Sequence, residues 1–424
     1  WYGVAVIALF AAKIVLSWKP PPVIPQHLAV SSAGGVRVGV AVTVYNEDPD
    51  LLGACLGSLL AQSYLLERVV VIDDCSPDRG ALTEAVSWRD RFCEAGIDLV
   101  VERFAVNQGK RHALMRALEL QPDIDALLGV DSDTVVAPDA VANLVRSYTQ
   151  PDVKVVTGLV LALNFDRNLL TRLIDLRYAQ AFLVDRGAQS RFGQVLCACG
   201  SLTLYSAQVL RKYRPDFLNQ LFLGKPAVFG DDRRLTNYCL LEGRALFNQS
   251  AVAWTAVPEK MSHFLRQQVR WNKSFFRESL WVLRAMPIRK PAFWFTFIEL
   301  AGWIIFTGTL IFALVVAPLV TAQLLIGPYL LYLALMAYGR SFRYPDLTGV
   351  RPKTKDRLIG FAIAPIYGLL HVGVLVWLRI YALVTLRRSN WGTRSSVEVT
   401  LNRPSPNASS VPAQNLPVQA STSA

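Results

Sequence analysis

The chain has 424 residues, of which 52% are hydrophobic, and its mean hydropathy of +0.31 is high for a soluble protein. This composition excludes one small soluble domain and favours a membrane-embedded chain. Its 44 Lys and Arg outnumber its 32 Asp and Glu, which gives a formal net charge of +12. Such a charge suits nucleic acid, an anionic membrane surface or an anionic substrate. Because the basic residues are scattered or flank apolar segments, with no recognisable binding module, we expect no nucleic-acid partner.

The first 18 residues are almost wholly apolar apart from Lys13, and a basic, proline-rich sequence follows them. We expect residues 1–18 to form a membrane-spanning helix with its basic flank in the cytoplasm. Because the chain begins at Trp1 rather than Met, this span is expected to be truncated at its start. Residues 19–37 are polar and are expected to form a linker.

Residues 38–257 alternate short apolar runs with helix-length amphipathic segments. The runs Val38–Val44, Arg68–Asp73 and Ala126–Asp131 end at polar residues, as buried parallel strands do. This alternation predicts an α/β, Rossmann-like nucleotide-binding sheet. Ligands of such sheets bind at the carboxyl ends of the strands. We therefore expect a site that contains the four aspartates found there, which are Asp73, Asp74, Asp131 and Asp133.

The six cysteines also lie in this central region, at positions Cys55, Cys75, Cys93, Cys197, Cys199 and Cys239. None forms a CxxC pair with the spacing of metal ligands. We expect reduced thiols, with a packing role for Cys197 and Cys199 in preference to a metal or redox role.

Residues 258–290 are expected to form amphipathic helices at a membrane interface. Between residues 262 and 284 an apolar stripe has helical spacing, while Gln267, Arg270 and Trp271 fall on another face. Trp271 can stack on a sugar, and Arg270 and Gln267 can bind a diphosphate or sugar hydroxyls. The alternative, an interfacial tryptophan beside a snorkelling arginine, explains Trp271 and Arg270 but not Gln267.

Apolar segments follow within residues 291–388, at about 291–318, 320–339 and 358–386. The loop at 340–357 contains six basic residues and is expected in the cytoplasm. We expect these segments to be transmembrane helices, with the catalytic domain on the cytoplasmic side of a multi-pass chain.

The third apolar segment ends at Arg387 and Arg388, which one plain crossing would place outside the cell. We therefore expect residues 358–386 to form a re-entrant or interfacial pair of helices, broken near Pro365, Gly368 or His371. One long tilted span is the alternative. Residues 396–424 lack periodicity and are expected to be a disordered tail.

The sequence DSD at 131–133 is a DxD element at the end of an apolar strand. Two carboxylates at this spacing can hold a hard divalent cation, which can neutralise a nucleoside diphosphate leaving group. Alone the motif is weak, because any strand can end in two acidic residues. Asp73 and Asp74 are placed to contact a base, a ribose or the metal, although a turn with a helix cap at Ser76 explains them about as well.

The sequence NQGKRH at 107–112 supplies a turn and two cations, Lys110 and Arg111, beside the same sheet. Such a turn is suited to a diphosphate, and a solvated turn is the alternative. His112 is expected to be structural, because no second histidine lies nearby to complete a metal site.

Asp232 is the predicted catalytic base. An inverting sugar transfer needs a carboxylate that accepts the proton of the attacking hydroxyl while the diphosphate departs on the opposite side. Asp231 is expected to orient Asp232 or to pair with Arg233 or Arg234. A charged helix start with local ion pairs is the alternative. The occurrence of DSD and DDRR in this order makes that alternative less favoured.

These motifs resemble the processive family-2 glycosyltransferases, and most closely the hyaluronan synthases. The similarity extends from about residue 18 to residue 394. The blocks that carry it are VDSDT at 130–134, GDDRRLTN at 230–237, RQQVRWNKSFFRE at 266–278 and WGTR at 391–394. Residues 107–112 and 177–190 are also similar.

The resemblance implies a cytoplasmic GT-A catalytic domain fused to an α-helical transmembrane and interfacial region in the plasma membrane. It implies alternating use of UDP-glucuronate and UDP-N-acetylglucosamine, a Mg or Mn ion, and export of the growing polysaccharide. Membrane lipids, including anionic ones, would surround the helical region.

The resemblance also implies roles for individual residues. The positions that match nucleotide contacts of the family are Tyr45, Glu47, Asp73, Asp74 and Lys110. Asp131 and Asp133 match the metal and diphosphate motif, and Asp232 matches the base. The positions that match the acceptor-side cluster, which also contacts substrate, are Gln267, Arg270 and Trp271. A loop at 389–395 matches one that closes over bound substrate through Trp391, Gly392, Thr393 and Arg394.

Three departures from the family pattern stand out. Cys75 replaces a more usual glycine after Asp74. In the segment Cys199-Gly200-Ser201, which is expected near the acceptor sugar, serine stands where a proline is usual. One N-terminal span precedes the catalytic domain where two are usual, as a trimmed start would produce.

Two other functions remain open on this evidence. A chitin-type synthase that uses only UDP-N-acetylglucosamine would share the same motifs. A membrane protein that binds nucleotide sugars without catalysis is more remote, because a decayed enzyme would be expected to lose one of the three motifs.

Overall fold

The computed structural model describes residues 2–18, 35–227, 229–316, 319 and 326–388. The strands in these residues are β1 (Val38–Val44), β2 (Arg68–Asp73), β3 (Asp98–Arg103), β4 (Ala126–Asp131), β5 (Thr134–Val136), β6 (Val153–Ala162), β7 (Thr203–Ser206), β8 (Leu221–Phe222), β9 (Lys225–Pro226) and β10 (Arg244–Thr255). The three strands predicted from the sequence, now β1, β2 and β4, are confirmed with the predicted bounds.

The α-helices of the same residues are α1 (Tyr2–Trp18), α2 (Pro49–Leu60), α3 (Gly80–Ser87), α4 (Arg89–Glu94), α5 (Lys110–Glu119), α6 (Ala140–Tyr148), α7 (Leu169–Ala179), α8 (Gly187–Ser190), α9 (Ala207–Leu218), α10 (Asp231–Glu242), α11 (Met261–Ala285), α12 (Pro291–Ile311), α13 (Ile326–Ser341), α14 (Thr354–Ala362), α15 (Ala364–Leu370) and α16 (Val376–Val384). Segments of π-helix occur at Gln180–Arg186, Phe312–Val316 and His371–Leu375, and a 3-10 turn at Tyr344–Asp346. The predicted amphipathic helix at 262–284 is α11.

Eight strands form one sheet in the order β3-β2-β1-β4-β7-β6-β10-β5. The first four are parallel, and β7 is antiparallel to its neighbours β4 and β6. Val44 of β1 pairs with Asp73 of β2, and Thr43 of β1 pairs with Asp131 of β4. Asp73 and Asp131 therefore lie at the same edge of the sheet, as predicted.

The hydrophobic core lies between this sheet and its helices. Val38, Val40 and Val42 of β1 have no exposed surface, and they follow the continuous apolar pattern of a strand covered on both faces. Helix α5 packs on β1 and β2, while α6 packs on β6 and β10. The core therefore fixes the edge at which the aspartates lie.

Strand β10 brings the chain back to the DSD turn. It pairs with β6 in parallel and with β5 in antiparallel, and the register opposes Thr255 to Thr134. The chain then enters α11, which packs against α10, α12 and α16. Helix α11 thus lies between the sheet domain and the apolar helices.

Two helices of the described residues are long and apolar enough to cross a membrane, namely Pro291–Ile311 and the run Thr354–Val384. Helix α12 exposes large apolar side chains that include Trp294, Ile304 and Ile305. The predicted segment at 320–339 falls partly outside the described residues. The number of membrane crossings therefore stays a prediction.

At residues 358–386 the structure has irregularities in a helical run close to the predicted breaks. Residues Thr354–Val384 form one helical run of 31 residues, with a turn residue at Ile363 and the π-helical stretch that begins at His371. The backbone of Ile363, with φ −81° and ψ 1°, stays close to helical values, so the chain continues past Pro365. A proline in the first turn of a helix interrupts no helical hydrogen bond. The choice between a re-entrant pair of helices and one long tilted span stays a prediction.

The basic loop after α13 lies against the sheet domain. Arg351 donates to Asp175 Oδ1 at 2.8 Å and to the carbonyl of Ala162 at 2.6 Å. Arg343 donates to the carbonyl of Leu183 at 3.0 Å. Because Asp175 is fully buried, its ion pair fixes this loop to the sheet domain.

Candidate active site

The DSD turn presents two carboxylates at the end of β4, and each is already held by neighbouring side chains. Lys110 Nζ lies 2.5 Å from Asp131 Oδ1, and Ser201 Oγ donates to Asp131 Oδ2 at 2.6 Å. Asp133 Oδ1 accepts a hydrogen bond from Thr255 Oγ1 at 2.9 Å, across from β10. The two carboxylates are therefore oriented by residues from three other parts of the chain.

Glu47 is tied to the same turn. Its Oε2 accepts a hydrogen bond from Ser132 Oγ at 2.8 Å, and only 7% of the residue is exposed. Tyr45, two residues earlier, is half-buried at the end of β1. The structure thus brings both predicted nucleotide contacts to the edge that carries Asp131.

Asp73 is 1% exposed and is held inside the protein. It accepts hydrogen bonds from Ser76 Oγ and from Arg103 Nε, the latter at 2.9 Å. These contacts match the turn that was the alternative to a nucleotide contact.

Asp74 holds the turn before α5. Its carboxylate accepts from the backbone N–H of Gln108 at 2.7 Å and from that of Gly109 at 2.8 Å. Burial raises the pKa of Asp74, and these two N–H donors counteract that effect. Gly109 has φ +90°, a left-handed conformation that favours glycine, so the turn requires this residue. Asp74, just after the neighbouring strand β2, therefore fixes the conformation of the NQGK turn.

Asp232 lies in the first turn of α10, which begins after Gly230 with φ +101°. Burial is the main reason that its pKa rises from 3.8 to about 6, with Lys110 opposing the shift and Asp131 adding to it. Although burial alone would lower the pKa of Lys110, the carboxylates of Asp131 and Asp232 raise it, so Lys110 stays protonated. One pocket is lined by Lys110, Asp131 and Asp232 together.

The segment at 199–201 lies between the two carboxylates. The backbone N–H of Gly200 bonds to Asp232, and a Cβ at position 200 would lie 2.6 Å from Asp232 Oδ1. Gly200 is therefore required for the close approach. Ser201, which replaces the usual proline, supplies the hydroxyl that holds Asp131. The Cys199 thiol is partly buried beside it, with Sγ 3.8 Å from Ser201 Oγ.

On α11 the three predicted acceptor-side residues differ in exposure. Trp271 is 45% exposed, and its ring centroid lies 6.3 Å from that of Tyr178. Gln267 and Arg270 are half-buried, and Gln267 Oε1 has no hydrogen-bond partner among the described residues. Trp271 thus offers an open aromatic face, while Gln267 offers a buried acceptor.

The model of the family described as glycosyltransferase like family 2 matches residues 36–274, more than half of the chain. The chain belongs to the family-2 glycosyltransferases.

Relatives of this family-2 glycosyltransferase extend the similarity to nearly its whole length. It is 34% identical to hyaluronan synthase of Streptococcus pyogenes over 406 residues, which cover 94% of this chain and 91% of that one. It is 36% identical to an N-acetylglucosaminyltransferase of Sinorhizobium fredii over 370 residues, 85% of this chain and 84% of that one.

A solved structure shows the same fold in the catalytic domain. The mannosyltransferase PcManGT from Pyrobaculum calidifontis, in complex with GDP-Man and Mn²⁺, superposes with a TM-score of 0.58 at 20% identity. The superposition covers 92% of this chain and 99% of that one. The predicted GT-A fold of the sheet domain is thus confirmed.

A set of buried polar contacts behind the site was not predicted. We call it the buried network, and it consists of Arg111, Gln220, Asp231, Arg234 and Glu278. Arg111 Nε lies 2.5 Å from Asp231 Oδ1, and Arg234 Nε lies 2.8 Å from Glu278 Oε2. Gln220 connects the two pairs, because it accepts from Arg111 at 2.5 Å and donates to Glu278 at 2.8 Å.

The buried network corrects two expectations for this enzyme. Asp231 pairs with Arg111, not with Arg233 or Arg234. Arg111 in turn faces the interior and not the open end of the strands. A Glu on an amphipathic helix usually lies on the exposed face, so the sequence carried no signal that Glu278 is 2% exposed.

The remaining predicted site residues lie in the loop at 389–395. Trp391, Gly392, Thr393 and Arg394 fall outside the described residues. Their proposed role in covering bound substrate stays a prediction. Within the described ranges, the cysteines are all free thiols, as expected.

Proposed function

We propose that this chain is a membrane-integrated, processive, inverting glycosyltransferase that polymerises UDP-glucuronate and UDP-N-acetylglucosamine into hyaluronan and exports the polymer. The observation that carries sugar transfer is the meeting of Lys110, Asp131 and Asp232 in one pocket. The choice of sugars is supported by the 34% identity to hyaluronan synthase over 94% of the chain.

On the donor side, Lys110 and the strand-end carboxylates bind the diphosphate of the UDP-sugar. Lys110 is protonated and its side chain is 32% exposed, so its ammonium group can exchange Asp131 for a phosphate oxygen. Tyr45 and Glu47 line the same edge and contact the nucleotide. Asp73 and Asp74 support this nucleotide site indirectly. Their hydrogen bonds hold the backbone segments that would contact the nucleotide.

Asp131 and Asp133 fit a Mg or Mn ion, because carboxylate oxygens suit hard divalent cations. The described residues contain no group of three His, Cys, Asp or Glu side chains that could hold a metal. The protein would thus supply two ligands, and substrate phosphate and water the others. Such an ion, when bound, neutralises charge on the departing diphosphate.

Asp232 is the base that accepts the proton of the attacking sugar hydroxyl. Its raised pKa keeps it basic enough to take a proton, yet mostly ionised at neutral pH. The Gly200 N–H fixes its orientation. An inverting transfer requires that Asp232 deliver the hydroxyl from the side opposite to the departing diphosphate.

The acceptor side consists of Cys199, Gly200 and Ser201 together with the α11 residues. Trp271, with Tyr178 beside it, offers a face on which a sugar ring can stack. Gln267 and Arg270 supply hydrogen bonds to hydroxyls or to the diphosphate.

The helical region supports a membrane location and export. Among the residues that the structure describes, helix α12 and the run at 354–384 have sufficient length, and α1 with residues 1–18 is proposed as a further span. The domain boundaries proposed are 38–257 for catalysis, 258–290 for the interface and 291–388 for the membrane, with the catalytic domain cytoplasmic. Surrounding lipids would contact the exposed apolar faces.

A chitin-type synthase is the second candidate, because an N-acetylglucosaminyltransferase is 36% identical to this chain. Membranes that contain the chain, given each UDP-sugar alone and then both, distinguish the two. We expect polymer only with both sugars, and we expect hyaluronidase to degrade it. Polymer from UDP-N-acetylglucosamine alone, resistant to hyaluronidase, would refute the hyaluronan assignment.

A further inference from the structure

Two consecutive cations at the start of α5 reach two different carboxylates. Lys110 contacts Asp131 at 2.5 Å, and Arg111 contacts Asp231 at 2.5 Å. Successive side chains of a helix point about 100° apart, so neighbours in sequence can reach opposite partners. The two contacts join the strand that ends in the DSD turn to the helix whose second residue is Asp232.

Arg111 uses four of its N–H donors inside the protein. Its side chain is 7% exposed, and a guanidinium has five N–H donors. One bonds to Asp231, one to Gln220, and two to the carbonyls of Phe217 and Phe229 at 3.3 Å each. Arg111 therefore holds the start of α10 in place, and its partners leave it no role as a diphosphate ligand.

Hydrogen bonds to the end of β2 fix the positions of Lys110 and Arg111. Asp74, just after β2, accepts from two successive backbone N–H groups of the turn before α5, and the side chain of Asn107 donates to the Asp74 carbonyl at 3.0 Å. The first turn of α5 is thus anchored at β2. It can act as a rigid spacer between β4 and α10.

We propose that Arg111 is a positioning residue that aligns the two halves of the site, keeping the base Asp232 at a fixed place relative to the donor-side carboxylate Asp131. This proposal rests on the proposed function, which assigns those two roles. Sugar transfer requires the base, the hydroxyl and the donor carbon to be held in line, and a misplacement of about 1 Å can reduce turnover on the order of 100-fold. Arg111 then governs turnover, while Lys110 governs UDP binding.

The test uses the full chain in lipid nanodiscs and two measurements, equilibrium binding of UDP and sugar transfer per UDP-binding site. For Arg111→Met we expect turnover per site to fall at least about tenfold while the UDP dissociation constant stays within about threefold. For Lys110→Met we expect UDP affinity to fall. Arg116→Met, on the same helix but 40% exposed and paired with Glu102, is the matched control and should change neither quantity.

The double variant Arg111→Met/Asp231→Asn separates positioning from stability. It removes both charges of the Arg111–Asp231 pair, so its melting temperature should recover relative to Arg111→Met. We expect its turnover per site to stay low. If turnover in the double variant recovers together with its stability, the proposal is overturned. A loss of UDP affinity in Arg111→Met that is large enough to explain its lower rate would also overturn it. A wild-type chain that binds UDP but transfers no sugar would instead refute the proposed function, before any variant is made.

Discussion

The pair Lys110–Asp131 at the strand end and the pair Arg234–Glu278 in the buried network have similar chemistry but opposite surroundings. The first pair has side chains that are 32% and 30% exposed, whereas the second has 4% and 2%. Water and ligands can compete for the exposed pair, which suits a site that exchanges partners. The buried pair cannot exchange its partners for water or ligands. The loss of one partner would leave an unpaired charge in a medium of low polarity. Exposure therefore separates the residues that bind from those that hold the binding residues in place.

The largest effect is expected at Asp232, between these two regions. Asp232→Asn keeps the shape of the side chain but removes the proton acceptor, so turnover should fall about 10²- to 10⁴-fold. The measurement is sugar transfer with both UDP-sugars, with UDP affinity as the control for folding. Turnover near the wild-type value would remove Asp232 as the base.

Substitutions in the buried network should lower the stability of the protein. Glu278→Ala leaves Arg234 buried without its main partner, so the free energy of unfolding should drop by about 3–5 kcal/mol. Glu242→Ala is the matched control, because its partner Lys212 is 58% exposed, and its melting temperature should stay close to wild type. Both are measured by thermal unfolding. Equal melting temperatures for the two variants would contradict the distinction drawn from exposure.

The pH dependence of the reaction reports the environment of Asp232. Because burial raises the pKa of Asp232 to about 6, the base becomes protonated as the pH falls through that value. We expect kcat/KM to decrease about tenfold per pH unit below pH ~6 and to be flat above it. A profile that stays flat down to about pH 4 would indicate a carboxyl with the ordinary Asp pKa, and would argue against a buried base.

The smallest effect concerns Cys75, which replaces the glycine usual in the family. Cys75 has φ +64°, in the left-handed region that favours glycine. Cys75→Gly should relieve this strain and stabilise the fold by about 0.5–1 kcal/mol. Cys93→Gly, within α4, is the control and should destabilise, because glycine weakens a helix. Destabilisation by both substitutions would show that the thiol of Cys75 contributes more than its backbone costs.

The strand-end site was accessible from the sequence because it follows from local pattern. Apolar runs that end at polar residues predicted the bounds of β1, β2 and β4, and parallel pairing then requires Asp73 and Asp131 to share an edge. The departures at Cys75 and Ser201 also proved to be structural, one as a strained backbone and the other as a hydrogen bond to Asp131.

The buried network was not accessible in this way. Which face of α11 is covered depends on α10 and α16, which are distant in sequence, and the polar residue Glu278 gives no sign of burial. The partner of the Arg111 side chain likewise depends on where α10 begins relative to α5, because that partner is Asp231, the first residue of α10.

We propose that sugar transfer in the sheet domain supplies a polymer that passes through the helical region. The most direct test places the purified chain in sealed lipid vesicles, supplies both UDP-sugars outside with different labels, and then adds hyaluronidase outside. We expect a polymer that contains equal amounts of the two sugars. Hyaluronidase should not degrade this polymer until the vesicles are opened. A polymer with one sugar only, or one that is degraded at once in intact vesicles, would contradict it.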